Sequence, residues 1–269
     1  MEKQFEFNNS LISYQVEGNG QPVILLHGFA EEGTIWQAQV QFLQQYCQLI
    51  IPDLPGSGKS PLLPQKAVTI EDYADCIHAL LQLEKIDQCI LLGHSMGGYI
   101  AIAFAEMYPE HLSAFGFIHS TAFADNEEKK NTRKKGIELI NQYGVYPFLK
   151  NTTPNLFSKT FKEAYAGTVS ELIEKGKEFS QEALVQYYTA MMTRPDRTDT
   201  LKRTNVPVLF VIGSEDVAAP LEDLLQQVHL PKTSYIHVMD NTGHMSMLEK
   251  PQELNKHLLQ FIQDVFPFE

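Results

Sequence analysis

The chain has 269 residues, 43% of them hydrophobic, 20% charged and 10% aromatic, and carries a formal net charge of −12. Such a length and composition provide for one soluble core with a sizeable insertion. The acidic balance argues against nucleic acid, whose phosphates demand a basic face, and against docking on anionic membranes.

Met1-Glu2-Lys3-Gln4-Phe5-Glu6 has no basic stretch leading into an apolar run, so no signal peptide is expected. No apolar stretch approaches the roughly 20 residues that span a bilayer. Cys47, Cys76 and Cys89 are odd in number and scattered, which speaks for packing residues rather than a disulfide framework. The expected compartment is the cytoplasm.

Phe5 to Phe7 and Leu11 to Val16, split by Asn8-Asn9-Ser10, predict an opening hairpin. Pro22-Val23-Ile24-Leu25-Leu26 is a strand buried on both faces, ending at His27-Gly28. Thr34 and Gln37 have the spacing of a capping box ahead of Ile35, Val40 and Leu43. Gln48 to Ile51 is the next strand, closed by Pro52. Thr69 and Asp72 cap a helix whose apolar residues Ile70, Tyr73, Ala74, Ile77, Leu80 and Leu81 follow the 3.6-residue period.

Cys89 to Leu92 is a strand running into Gly93, and Tyr99 to Tyr108 a buried helix stopped by Pro109. Ala114 to Ile118, Val208 to Ile212 and Tyr235 to Met239 are further strands, with a last helix from about Pro251 to Phe261. Strands alternating with helices imply an α/β fold: a parallel sheet covered on both faces. The stretch 121–205 breaks that rhythm with helical patterns and aromatics, and is expected to be a helical insertion into a core made of 1–120 and 206–269. Its charge run, Asp125 to Lys130, is expected to be a solvated helix start.

Gly93-His94-Ser95-Met96-Gly97-Gly98 contains Gly-x-Ser-x-Gly, a weak signal alone. Between a buried strand and a buried helix it has the setting of a nucleophile elbow, whose tight turn needs small flanking residues. The helix N-terminus adds positive potential beside a developing oxyanion. His27-Gly28-Phe29 follows another buried strand and suits a loop that supplies a second amide. The Phe29 and Met96 N–H groups would then meet on the substrate oxygen. His27 and His94 are read as structural hydrogen-bonding residues.

A serine nucleophile needs a base, and the base an orienting carboxylate. Val208 to Asp216 places a carboxylate just after a strand, and Asn241-Thr242-Gly243-His244 places a histidine after the last one. Both fall at the strand ends of a parallel sheet, the edge that also carries Ser95. Glu215 rivals Asp216 as the acid, and Asp240 is a weaker rival. Asp53-Leu54-Pro55-Gly56-Ser57-Gly58-Lys59-Ser60 mimics a phosphate-binding loop, but Asp53 stands where that pattern needs glycine and prolines follow. The nine histidines show no metal-ligand spacing. No cofactor and no metal are called for, and the expected partner is a small-molecule acyl substrate.

Together these stations resemble the α/β-hydrolase fold family. They are Leu25-Leu26-His27-Gly28-Phe29, the Asp53 to Ser60 turn, Gly93 to Gly98, Gly213-Ser214-Glu215-Asp216 with Pro220, and Gly243-His244 with Glu249-Lys250-Pro251. They come in family order over nearly the whole chain. The resemblance implies a mostly parallel eight-stranded sheet with a helical lid inserted after the sixth strand. It implies Ser95, Asp216 and His244 as the triad, with the amides of Phe29 and Met96 as the oxyanion hole. Serine at the elbow sets the chain apart from epoxide hydrolases and dehalogenases, which carry aspartate there.

The leading expectation is a serine hydrolase that cleaves a small carboxylic ester, lactone or thioester through an acyl-enzyme. The alternative keeps the triad for carbon–carbon bond hydrolysis or an elimination, such as that of the menaquinone-pathway synthase. A non-catalytic binder on the same scaffold stands last. Aromatics of the insertion (Tyr146, Phe148, Tyr187) suit an apolar acyl pocket or simple packing. Arg194 and Arg197, near the end of the insertion, suit either an anionic substrate or surface ion pairs, and surface pairing is the expectation.

Overall fold

In the computed structural model, which describes residues 1–65 and 67–267, the chain's apolar runs become eight strands of one sheet. They are β1 (Glu2–Phe7), β2 (Ser10–Glu17), β3 (Pro22–Leu26), β4 (Gln48–Pro52), β5 (Cys89–His94), β6 (Leu112–Ile118), β7 (Val208–Gly213) and β8 (Ser234–Met239). Their spatial order is β1-β2-β4-β3-β5-β6-β7-β8. The β1–β2 hairpin and the β2–β4 pair are antiparallel, and every other neighbouring pair is parallel. Lys66, Phe268 and Glu269, the last two closing the expected second core segment, lie outside the described residues.

Twelve helices are described: α1 (Gln37–Leu43), α2 (Ile70–Glu84), α3 (Met96–Met107), α4 (Glu127–Tyr143), α5 (Val145–Thr152), α6 (Lys159–Ala164), α7 (Ala166–Lys175), α8 (Gln181–Thr193), α9 (Thr198–Arg203), α10 (Leu221–Leu225), α11 (Ser246–Glu249) and α12 (Pro251–Val265). The strand period of two splits the central residues between two layers. Ile24, Leu26, Leu91, Phe117 and Phe210 face a core shared with α2 and α3. Val23, Leu25, Ile90, Leu92 and Leu209 face a second core shared with α1 and α12. That is why β3, β5 and β7 read as unbroken apolar runs: both of their faces are covered.

The capping box at Thr69 forms, with the Thr69 hydroxyl accepting from the Asp72 amide and the Asp72 carboxylate from the Thr69 amide. The one expected at Thr34 does not. Gly33–Trp36 is a 3₁₀ turn ahead of α1, and the Thr34 hydroxyl donates to Glu32 instead. Asp53 takes over that role from across the sheet, accepting from the Gly33 amide at 2.9 Å and the Lys59 amide at 3.0 Å. The false phosphate loop is therefore a turn closed on its own aspartate.

Helices α4 to α9 lie between β6 and β7 and pack on both cores. Ile140, Phe148, Leu184 and Tyr187 join the α2/α3 side, and Phe157, Phe161, Val169 and Ile173 the α1/α12 side. The Asp125–Lys130 run differs from expectation. Asn126 caps α4, but Asp125 is buried, with carboxylate oxygens 2.6 Å from Arg133 Nε and 2.9 Å from Arg194. Arg194 also lies 3.7 Å from the Tyr99 ring centre, and buried Arg197 pairs with Glu71 and with Glu106. These arginines are interior struts, because the aromatic face and the carboxylates that hold them arrive from distant parts of the chain. Among the described residues no helix is long and apolar enough to cross a membrane.

Candidate active site

The C-terminal ends of β3, β5, β6, β7 and β8 converge on one edge of the sheet, where parallel α/β folds bind ligands. Ser95 sits between β5 and α3 at φ 49 and ψ −114, a strained conformation for a residue with a side chain. The turn closes only because its neighbours are small. A Cβ on Gly93 would stand 2.1 Å from the Gly97 carbonyl, and one on Gly97 would stand 2.6 Å from the Leu26 oxygen. The Ser95 amide donates to Ile118 O at 3.0 Å, and Ser120 Oγ donates to Ser95 O at 2.6 Å. Both bonds come from β6 and the residues just after it, and the Gly98 amide of α3 also donates to Ser95 O at 3.0 Å, so the serine is held by β6 on one side and by its own helix on the other.

Gly28, at the end of β3, is close enough that a Cβ there would lie 3.1 Å from Ser95 Cβ. This brings the Phe29 loop beside the elbow. Met96 opens α3, so its amide has no helical carbonyl behind it and is free to meet a ligand. A cavity of about 90 Å³ adjoins this loop, lined in part by Phe29, Leu149, Leu156, Tyr188 and Met245. Phe29 and Tyr188 stack with ring centres 4.2 Å apart.

Asp216 and His244 meet across the edge, with His244 Nδ1 donating to Asp216 Oδ2 at 2.8 Å. The other oxygen of Asp216 accepts from the amides of Ala218 and Ala219 at 2.8 and 2.9 Å. Burial opposes its charge, but the His244 ring and the hydrogen bonds from the His119 and His244 side chains outweigh that and hold it far below the usual carboxylate range. The rivals do not reach the ring. Glu215 is exposed and accepts from the Lys159 amide, and exposed Asp240 pairs with Asn241. His27 Nε2 accepts from the Leu54 amide, and buried His94 packs beside His244 with rings 4.8 Å apart, so both serve as hydrogen-bonding supports.

The histidine loop is clamped from below. Glu249 accepts from the amides of Gly243, Met245 and, in the inserted helices, Ser158. The His244 amide itself donates to Leu156 O at 2.6 Å.

Two participants have no signal in the sequence. Glu31 Oε2 accepts from the Gly28 amide at 2.7 Å and from His94 Nδ1 at 2.9 Å, while His94 Nε2 donates to His244 O at 2.9 Å. Both ring nitrogens of His94 therefore face acceptors, which describes an imidazolium. Burial disfavours both charges, yet each partner outweighs it, so Glu31 is held below and His94 above its ordinary value. His94 contributes stability fully below its unfolded value of 6.5 and loses it as pH rises through the raised folded one; Glu31 contributes above 4.5 and loses it in acid. Glu31→Gln keeps the shape but removes the charge. It is expected to cost about 1.5–3 kcal/mol near the middle of that window. Urea unfolding of both proteins across pH measures it, and a deficit that does not shrink toward alkaline pH contradicts the charged pair.

The second participant is His119, whose Nδ1 stands 3.1 Å from the same Asp216 oxygen that binds His244. His119, Asp216 and His244 each bring a metal-ligating atom within 4.8 Å of the others. Their 2.8 and 3.1 Å spacings to one oxygen are those of hydrogen bonds, and a metal would have to displace both protons.

A family model described as alpha/beta hydrolase fold matches residues 21–251. The chain is 29% identical to lipase 1 of Psychrobacter immobilis, over 89% of this chain and 77% of the lipase. It is 25% identical to the pimeloyl-[acyl-carrier protein] methyl ester esterase of Aeromonas hydrophila subsp. hydrophila, over 93% and 99% of the two. Among solved structures, a malate-bound thermophilic esterase from Thermogutta terrifontis superposes with a TM-score of 0.90 at 27% identity, covering 95% of this chain and 94% of that one.

Proposed function

The chain belongs to the α/β-hydrolase fold family, and we propose that within it the protein is a serine hydrolase that cleaves a small carboxylic ester through an acyl-enzyme. The observation that supports this most is the Asp216–His244 hydrogen bond at the same sheet edge as the strained Ser95 elbow. Esterases and a lipase among the similar proteins support the bond type.

With Nδ1–H committed to Asp216, His244 Nε2 is the lone pair that removes the Ser95 proton. Ser95 Oγ attacks the carbonyl carbon, and the oxyanion forms against the Phe29 and Met96 amides; losing one such donor typically costs about 10²–10³ in rate. His244 returns the proton to the departing alcohol, leaving the acyl group on Ser95. Water, deprotonated by His244, then releases the acid and restores Ser95. Helices α4 to α9 act as the lid, and the small apolar cavity beside Phe29 favours a short acyl chain. The three cysteines are unpaired thiols, in keeping with a reducing cytoplasm.

Labelling by a fluorophosphonate probe, located by peptide mapping, together with a p-nitrophenyl ester panel graded by acyl length, tests the proposal. Modification of Ser95 and a preference for short acyl chains are expected. A folded protein that takes no label would overturn the reading, and faster cleavage of a diketone than of any ester would move it to carbon–carbon chemistry.

A further inference from the structure

Resting on the triad reading above, we propose that His119 is a positioning residue: its Nδ1–H donates to the Asp216 oxygen shared with His244, holds that carboxylate in line, and limits how strongly it supports a proton on His244.

His119 follows β6 directly, between the Ser95 elbow and the acid loop. Its amide donates to Val211 O at 2.9 Å, which ties it to β7. Its backbone is left-handed, with φ 53, and its ring is fully buried. Glycine or asparagine would adopt that conformation at less cost, so the strain persists here together with a side chain that has a bonded partner. A Cβ on Gly213 would stand 2.3 and 2.5 Å from the Gly243 and Thr242 carbonyl oxygens and 3.1 Å from the ring, so bare glycine at the end of β7 leaves room first for the histidine loop and also for His119.

The ring's other nitrogen, Nε2, is buried without a hydrogen-bond partner. An unpaired N–H there would belong to a buried cation, whereas an unpaired lone pair belongs to a neutral ring. The proton therefore resides on Nδ1, facing Asp216. Burial pushes the His119 pKa down to about 4 despite the carboxylate, which keeps the ring neutral across the working range.

Two imidazoles thus donate to one oxygen, at 2.8 and 3.1 Å. The ionisable groups around the pair are His94, from the end of β5 with its ring 6.1 Å from His119 and 4.8 Å from His244, and Glu31 behind it. A carboxylate that accepts a second hydrogen bond attracts the His244 proton less. Without His119, Asp216 holds that proton more tightly, and the acid limb of activity moves to higher pH.

The test compares His119→Gly, which suits the backbone but removes the donor, with His119→Asn, which suits the backbone and keeps an N–H donor near Nδ1. In log kcat/KM against pH for a p-nitrophenyl ester, the glycine variant should shift the acid limb upward by about half to one pH unit, the worth of one hydrogen bond. The asparagine variant should leave the limb in place. An unmoved limb in the glycine variant, or equal movement in both, overturns the proposal. Should neither variant fold, ¹⁵N NMR of the histidine rings in the parent protein decides. A neutral Nδ1–H ring persisting to about pH 5 supports it, and a neutral ring protonated on Nε2, or a charged ring at neutral pH, overturns it. Full activity in Ser95→Ala would instead remove the triad reading and leave the NMR result standing.

Discussion

Ser95→Ala is expected to lower ester hydrolysis by about 10⁴–10⁶-fold while leaving the fold as stable as before. The size of the loss follows from what the hydroxyl does in the proposed reaction. It is the atom that becomes acylated, and with it gone only substrate binding and the two oxyanion amides remain, which by themselves give a small residual rate. The stability side follows from the elbow. Alanine at φ 49 carries the same Cβ as serine, and the bonds that hold the turn, from the Ser95 amide to Ile118 O and from the Ser120 hydroxyl to the Ser95 carbonyl, do not involve the Ser95 hydroxyl. Steady-state kinetics on a p-nitrophenyl ester beside a thermal melt separates the two effects. Residual activity within tenfold of the parent, in a protein that melts at the same temperature, would exclude Ser95 as the nucleophile.

Asp216→Asn is expected to cost about 10⁴-fold in kcat. Four N–H donors surround this carboxylate, two backbone amides on one oxygen and two imidazoles on the other. An asparagine amide must turn its NH₂ toward one of those pairs, where donor meets donor. Facing the imidazoles, it forces His244 to carry its proton on Nε2, which is then no longer a lone pair for the serine. Facing the backbone, it leaves two buried amides opposed, at about 1–3 kcal/mol of stability for each unpaired group. Kinetics and urea denaturation read both, and a variant that retains a tenth of the parent's kcat would show that the carboxylate charge does not orient the base.

The serine, acid and histidine stations are legible because strand and elbow impose them locally. Gly93 and Gly97 cannot be larger without colliding with carbonyl groups, Asp216 follows β7, an apolar run buried along its whole length, and His244 follows the short strand-like run of β8, which lies half-exposed at the end of the sheet. Their supports are not legible. Glu31 lies 63 residues from His94 in the chain, and His119 lies 97 from Asp216. No local pattern marks such pairs, because what gives them meaning is the convergence of strand ends. Thr34 failed as a cap for a related reason: a distant aspartate, Asp53, satisfies the helix start instead. Asp125 sits in a charge run that reads as solvated, and only the fold brings the two arginines that make its burial tolerable.

One carboxylate, Glu249, gathers amides from the histidine loop and from Ser158 in the inserted helices. Leu156, two residues earlier, lines the cavity beside Phe29 and lends its carbonyl to the His244 amide. For anyone who would redesign the insert to admit a different acyl group, selectivity and turnover are therefore not independent dials. A swap around residues 156–158 reshapes the pocket wall and moves the floor on which the proposed base stands, so such libraries are best screened for rate and preference together, with this short stretch held constant.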